Sequence, residues 1–203
     1  VTAVTRNLHQ KGYSLKTQSP IGFLEIIEEN IFNQEKLNNI IKNHAICINL
    51  IGILFEKKNN TFQNIHVNFP SILSKVCKDN NIEKLIHLSA LGIEKSIDSN
   101  YAISKLEGEN KIKNNFQGAV ILKPSIVYSV DDNFTTNFMT LLNRLPFMPL
   151  YYEGKTKFTP LHVTDLAQII FDVVQGKVNE KTIECIGPEI FSFKEIILKL
   201  LKA

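Results

Sequence analysis

Residues 84–123 read KLIHLSALGIEKSIDSNYAISKLEGENKIKNNFQGAVILK. Their two ends, KLIHLS (84–89) and AVILK (119–123), are short and nearly continuously apolar. Such runs mark strands covered on both faces. Between them the pattern predicts a helix over residues 101–114. Strand, helix and strand at this spacing form a βαβ unit, whose two strands lie parallel.

The same alternation extends in both directions. Upstream, AICINL (45–50) reads as another buried strand, and residues 1–5 and 23–27 as two more. Asn33 is placed to cap a helix running to residue 42. A longer helix is expected over 65–80, with Phe69, Ile72, Leu73 and Val76 on one face. Downstream of Pro124 the pattern loosens. Helices are expected over 134–143 and 166–174, an extended piece over 158–162 and a last strand over 182–186. A Pro/Gly/aromatic loop is expected over 147–154. Ser192 and Glu195 form a capping box that opens a final helix. The chain divides at Pro124 into an α/β core (1–124) and a small C-terminal lobe (125–203) with a returning strand and helix.

Composition narrows the function. The 203 residues are 44% hydrophobic and 21% charged, an ordinary globular balance. The net charge of +3 comes from scattered lysines, and no nucleic-acid motif joins them, so no nucleic-acid partner is expected. No apolar run approaches the roughly 20 residues of a membrane-spanning helix. Cys47, Cys77 and Cys185 lie singly in apolar segments and read as reduced, buried thiols of a cytoplasmic protein. The five histidines lack metal-binding spacing, and no metal is expected.

Ser89, Tyr101 and Lys105 form the strongest candidate constellation. Tyr101 and Lys105 are four apart and share one helix face. An ammonium beside a phenol favours the phenolate and lowers its pKa, which suits a general acid or base. Ser89 ends the preceding strand, where its hydroxyl can meet a substrate carbonyl. The plainer reading is a surface Tyr and Lys flanking a loop.

The stretches IHLSALGI (86–93), NYAISKLEGE (100–109), VILKPSIVY (120–128), TPLHVTDLAQII (159–170) and KTIECIGPE (181–189) resemble the extended and atypical short-chain dehydrogenase/reductases. More narrowly they resemble the branch of nucleotide-binding accessory subunits of respiratory complex I and its bacterial relatives. The resemblance implies an α/β, Rossmann-like, doubly wound parallel sheet. It implies a dinucleotide as ligand, NADP(H) favoured and NAD(H) the alternative.

It also assigns positions. Arg6 meets the ribose 2′-phosphate, for which a guanidinium fork is suited. Asn30 stands near the adenine. Asn49, Leu50, Ile51 and Gly52 match an N-L-x-G turn along the middle of the cofactor. Tyr101 and Lys105 reach the nicotinamide ribose, and Lys123, Pro124 and Ser125 flank the nicotinamide. His162, Val163 and Asp165 pack the lobe onto the core.

Two functions follow from the resemblance. One is an oxidoreductase or epimerase acting on a small carbonyl or hydroxyl substrate. The other is a non-catalytic accessory or assembly subunit on a membrane respiratory complex, at the inner face of an energy-transducing membrane. A regulator that reads NADP(H) without turnover is a third. The family's G-x-x-G-x-x-G turn, which presents backbone N–H groups to the pyrophosphate, is not among these residues. The chain reads as beginning at the second strand of the fold. A gap is therefore expected between strands 1–5 and 45–50.

Overall fold

The computed structural model describes residues 1–130, 132–144 and 150–202. The first half comprises β1 (Thr2–Thr5), a π-helical turn Leu8–Gly12 running into α1 (Tyr13–Lys16), β2 (Glu25–Glu28), α2 (Gln34–Ile41) and β3 (Ile46–Asn49). A π-helical segment Gln63–Asn68 leads into α3 (Phe69–Asp79), then β4 (Lys84–Leu88), α4 (Asn100–Asn115) and β5 (Ala119–Pro124). The remainder comprises β6 (Val127–Tyr128), α5 (Asn133–Arg144), β7 (Lys157–Phe158), β8 (Leu161–His162), α6 (Val163–Val174), β9 (Thr182–Cys185), β10 (Phe191–Ser192) and α7 (Phe193–Leu200).

The quoted stretch does form the centre of the molecule. β3, β4, β5 and β9 make one sheet in that order, every neighbouring pair parallel. Alternate residues of β4 and β5 face opposite layers. Leu85 and Ile121 pack with Phe69, Leu73, Val76 and Ile112, which belong to α3 and α4. Ile86, Val120 and Leu122 pack with Leu166 and Val173 of α6. Both faces are covered, so the runs need no polar alternation.

The two strands before β3 stand apart from this sheet. β1 and β2 pair in parallel, Thr2 opposite Glu25 through Thr5 opposite Glu28, as a separate two-stranded ladder. Among the described residues no ladder joins β1 to β3, as the sequence led us to expect. Packing relates them instead, since Val4 of β1 and Cys47 of β3 lie against the same apolar cluster. His44, two residues before β3, bonds Thr2 Oγ1 through Nε2 at 3.0 Å and the Ile40 carbonyl through Nδ1 at 2.9 Å. β3 is correspondingly open: Ile48 is 43% exposed, while its register partner Ile86 is fully buried.

The helix ends follow the local chemistry. Asn33 Oδ1 accepts the Lys36 N–H at 3.1 Å. The capping box is complete, with Ser192 Oγ accepting from Glu195 N–H at 3.2 Å and Glu195 Oε2 from Ser192 N–H at 2.7 Å. Gly108 lets α4 lie directly on the π-helical segment, because a Cβ there would come within 1.9 Å of the His66 carbonyl oxygen.

Some boundaries differ from the sequence reading. β2 begins at Glu25, not residue 23, because Phe23 sits in an exposed turn beside Gly22 (φ 90°). The helical turns at 8–16 were not anticipated, and α1 carries no side-chain cap to announce it. The extended piece at 158–162 splits between two small ladders, β7 with β10 and β8 with β6. Of the loop expected at 147–154, residues 147–149 lie outside the described residues, and Tyr151–Gly154 forms a 3₁₀ turn.

The buried centre of the sheet gives a direct test. Ile86 of β4 has no exposed surface, so Ile86→Lys buries an unpartnered charge and prevents folding, whereas Ile86→Val is expected to cost about 0.5–1.5 kcal/mol. Urea titration of the two variants checks both expectations.

Candidate functional site

The site grows from the carboxyl end of β3. Asn49 is buried, and its side chain is committed at both ends. Its Oδ1 accepts the Ile51 N–H at 3.0 Å, and its Nδ2 donates to His87 Nδ1 at 3.0 Å. His87 can accept because burial first, then the Lys105 charge and His66, push its pKa down to about 3 and keep it neutral. This clamp holds the Leu50–Gly52 turn, with Leu50 exposed and Ile51 half-buried against the core.

Gly52 places that turn over α4. A Cβ at Gly52 would stand 3.2 Å from Lys105 Nζ and 3.9 Å from His66 Nε2, so the backbone closes on both groups. Lys105 is buried, and its ammonium donates to the Leu88 carbonyl at 3.1 Å, at the end of β4. Burial lowers its pKa to about 8, and the Glu109 carboxylate opposes that shift.

His66 completes the cluster. Its Nε2 accepts the Ile53 N–H at 3.2 Å, so the neutral ring carries its proton on Nδ1. Nδ1 lies 2.9 Å from Ser104 Oγ, which in turn donates to the Tyr101 carbonyl at 2.8 Å. Burial and the Lys105 charge hold His66 at about 4. Its ring stacks on Phe62 (5.3 Å between centroids) and meets the Tyr101 ring edge-on at 5.4 Å. Phe62 touches Tyr101 as well, at 5.9 Å. Two aromatic walls therefore fix the Tyr101 ring.

The expected residues fall into four groups. Gly52, Tyr101 and Lys105 come together around His66, beside Asn49, Leu50 and Ile51. Arg6 and Asn30 are exposed just past the ends of β1 and β2. Asn30 also shapes its own turn, its Oδ1 accepting the Phe32 N–H at 3.0 Å. Ser89 and Lys123 point instead into a buried ionic cluster. Ser89 Oγ donates to Glu109 Oε1 at 2.6 Å. Glu109 has no exposed surface, and its Oε2 pairs with Lys123 at 3.2 Å and Lys113 at 3.3 Å. Lys123 also pairs with Glu94. Pro124 ends β5, buried, and Ser125 Oγ accepts the Thr159 N–H at 3.3 Å.

Two expectations change on this evidence. The Tyr101 phenol is pushed up rather than down, because burial between Phe62 and His66 disfavours the phenolate. The Ser89 hydroxyl has one proton, and Glu109 holds it, so Ser89 can offer a substrate only its lone pairs. Sequence reasoning missed His66, Phe62 and Glu109. Phe62 and His66 are four apart, and so are Tyr101, Lys105, Glu109 and Lys113. Read as helical ladders, those spacings were there to be found.

Comparison with known proteins places this geometry in context. No family profile matches the chain. It is 28% identical over 184 residues to the mitochondrial "NADH dehydrogenase [ubiquinone] 1 alpha subcomplex subunit 9" of Dictyostelium discoideum, covering 90% of this chain and 51% of that protein. It is 27% identical over 162 residues to the Mus musculus subunit of the same name, covering 79% and 43%. The chain thus spans about half the length of the curated relatives it matches.

Among solved structures it is similar to a dTDP-glucose 4,6-dehydratase, DesIV of Streptomyces venezuelae, determined with NAD bound (TM-score 0.81, 16% identity, 100% of this chain and 70% of that one). It is also similar to a dTDP-4-dehydrorhamnose reductase of Bacillus anthracis in complex with NADP (TM-score 0.75, 15% identity, 99% and 79%). The fold is the α/β, Rossmann-like parallel sheet that the sequence resemblance implied.

The buried lysine carries a stability consequence. Relative to an unfolded lysine near 10.5, a folded value of about 8 costs about 3 kcal/mol. That cost is fully present below pH 8 and disappears as pH rises from 8 to 10.5, because only the unfolded state keeps the proton in that window. Lys105→Met is therefore expected to gain about 1–3 kcal/mol at pH 7, the lost bond to Leu88 offsetting part of the relief. The gain should vanish above pH 10.5, as read by urea denaturation across the range.

Proposed function

We propose that this chain is the dinucleotide-binding body of an accessory subunit of respiratory complex I, and that it holds a nicotinamide dinucleotide as a ligand without turning it over. The observation that carries the reading is the Ser89–Glu109 bond. The hydroxyl that would polarise a substrate carbonyl gives its proton to a buried carboxylate 2.6 Å away. The groups suited to binding remain in place. Gly52 leaves a bare backbone above Lys105, and Lys105 and Tyr101 share one helix face below it. The relatives named above are subunits of that complex, which supports the same role here.

The residues present fit part of a dinucleotide. The Gly52–Lys105–Tyr101 cradle suits the ribose on the nicotinamide side. Arg6, exposed past β1, suits a 2′-phosphate and favours NADP(H) over NAD(H). The 203 residues contain no glycine-rich turn for the pyrophosphate. Among the described residues no helix is long and apolar enough to cross a membrane, in keeping with a subunit docked at the periphery of a membrane complex.

One observation favours the second reading, an oxidoreductase or epimerase. Among the described residues no protein group hydrogen-bonds the Tyr101 hydroxyl, so its proton is free to exchange with a substrate oxygen, with Lys105 one turn away. A bound nicotinamide would supply or accept the hydride.

The full-length protein separates these readings. It is expected to bind NADPH more tightly than NADH in fluorescence titrations, and Arg6→Ala is expected to abolish the difference. A wild type that prefers NADH would overturn the assignment of Arg6. Hydride transfer to a panel of carbonyl compounds is expected to be absent in wild type and in Tyr101→Phe, with both binding NADPH. Turnover in wild type that falls at least about 100-fold in Tyr101→Phe would decide for the enzyme.

A further inference from the structure

We infer that Glu109 is a positioning residue of the Tyr101–Lys105 site, its buried carboxylate holding Lys105 as an ammonium and Ser89 in one orientation from inside the protein. The inference deepens the dinucleotide-site reading and rests on it only for the purpose that Lys105 serves.

The argument begins with spacing. Tyr101, Lys105, Glu109 and Lys113 follow one another at intervals of four along α4, so each is the neighbour of the next on one helix face. Glu109 has no exposed surface, and Lys105 is 5% exposed. An ammonium so deeply placed needs a counter-charge that is itself shielded from water. Among the described residues the groups brought to Lys105 are these. His66 of the π-helical segment and His87 of β4 are both held neutral above pH 5 and would repel it if protonated. Tyr101 on its own helix is a neutral phenol, its pKa raised by burial. The Leu88 carbonyl and the Gly52 backbone are uncharged. Glu109 is the one negative group in the set, and its field raises the pKa of Lys105 against burial.

The remaining contacts of Glu109 keep that charge in place. Ser89 Oγ donates to one oxygen from the end of β4, and Lys123 pairs with the other from β5. Lys113 pairs with the same oxygen from the next turn of the helix. The carboxylate thus ties α4 to both central strands while acting on Lys105. Lys123, paired with the same carboxylate at 3.2 Å, is a second positive charge on it and is expected to weaken its hold on Lys105. Removing Glu109 and removing Lys123 must therefore move Lys105 in opposite directions, which a merely structural role would not do.

The test follows the ε-carbon of Lys105 by NMR in full-length protein labelled with ¹³C-lysine, the signal being assigned by its loss in Lys105→Met. No dinucleotide is added. Wild type is expected to titrate near 8. Glu109→Gln should lower the midpoint by about one pH unit or more, and Lys123→Gln should raise it. Glu107→Gln, an exposed charge on the same helix, should move it by less than about 0.2. A midpoint unchanged in Glu109→Gln overturns the inference, even if that variant is less stable. Should Glu109→Gln fail to fold, Lys123→Gln decides: an upward shift supports the inference and an unchanged midpoint overturns it. In a second arm, NADPH affinity is measured from pH 6 to 9. Wild type should lose affinity as Lys105 deprotonates, and Glu109→Gln should lose it at correspondingly lower pH. A protein that binds no dinucleotide at any pH defeats the function proposed above and leaves the Lys105 titration to be judged by itself.

Discussion

A carboxylate with no exposed surface sits where α4 crosses the ends of β4 and β5, and leaving such a group without partners costs several kcal/mol. The interior around Glu109 is arranged to meet that demand. One oxygen takes the Ser89 hydroxyl, and the other takes two lysine ammonium groups. These contacts lock the rotation of α4 about its axis. That rotation in turn decides that Tyr101 and Lys105 face the Gly52 turn, and that Gly108 lies against the His66 backbone. Site geometry and core electrostatics are thus one constraint seen from two sides of the helix.

The most legible part of the chain was the part with least choice. Strands buried on both faces must be apolar almost throughout, so β4 and β5 could be read directly. Asn33 and the Ser192/Glu195 box announced their helices through side-chain bonds that need no tertiary context. Elements whose limits depend on a partner were harder. β2 takes its register from β1, and no local signal moves its start from Phe23 to Glu25. In the site, spacing along one helix was enough to bring Tyr101 beside Lys105. The orientation of Ser89 was not readable, because it depends on Glu109, twenty residues away. The direction of the Tyr101 shift was misread for the same reason. An ammonium and a desolvating wall act on the phenol in opposite senses, and only the fold puts Phe62 and His66 against the ring.

The two functional readings differ in what they ask of the same cradle. Binding needs a bare backbone, a cation and a fixed aromatic ring, all of which stand together here. Catalysis also needs a second donor to polarise the substrate carbonyl, and the Ser89 hydroxyl, just past β4, is turned to Glu109. A site can keep its ligand geometry after one such rotation. On the proposed reading a bound dinucleotide would serve as part of the architecture, with Lys105 kept at a cost in stability.

The separation between β1 and β3 bears on what a ligand would have to span. Among the described residues the two ladders share no backbone hydrogen bond and are joined by side chains on a common helix layer, together with the His44–Thr2 contact. Arg6 and Asn30 stand just past the ends of the first ladder, and Lys105 lies against the end of the second. A ligand that touched both would add its own contacts across a joint that side chains hold.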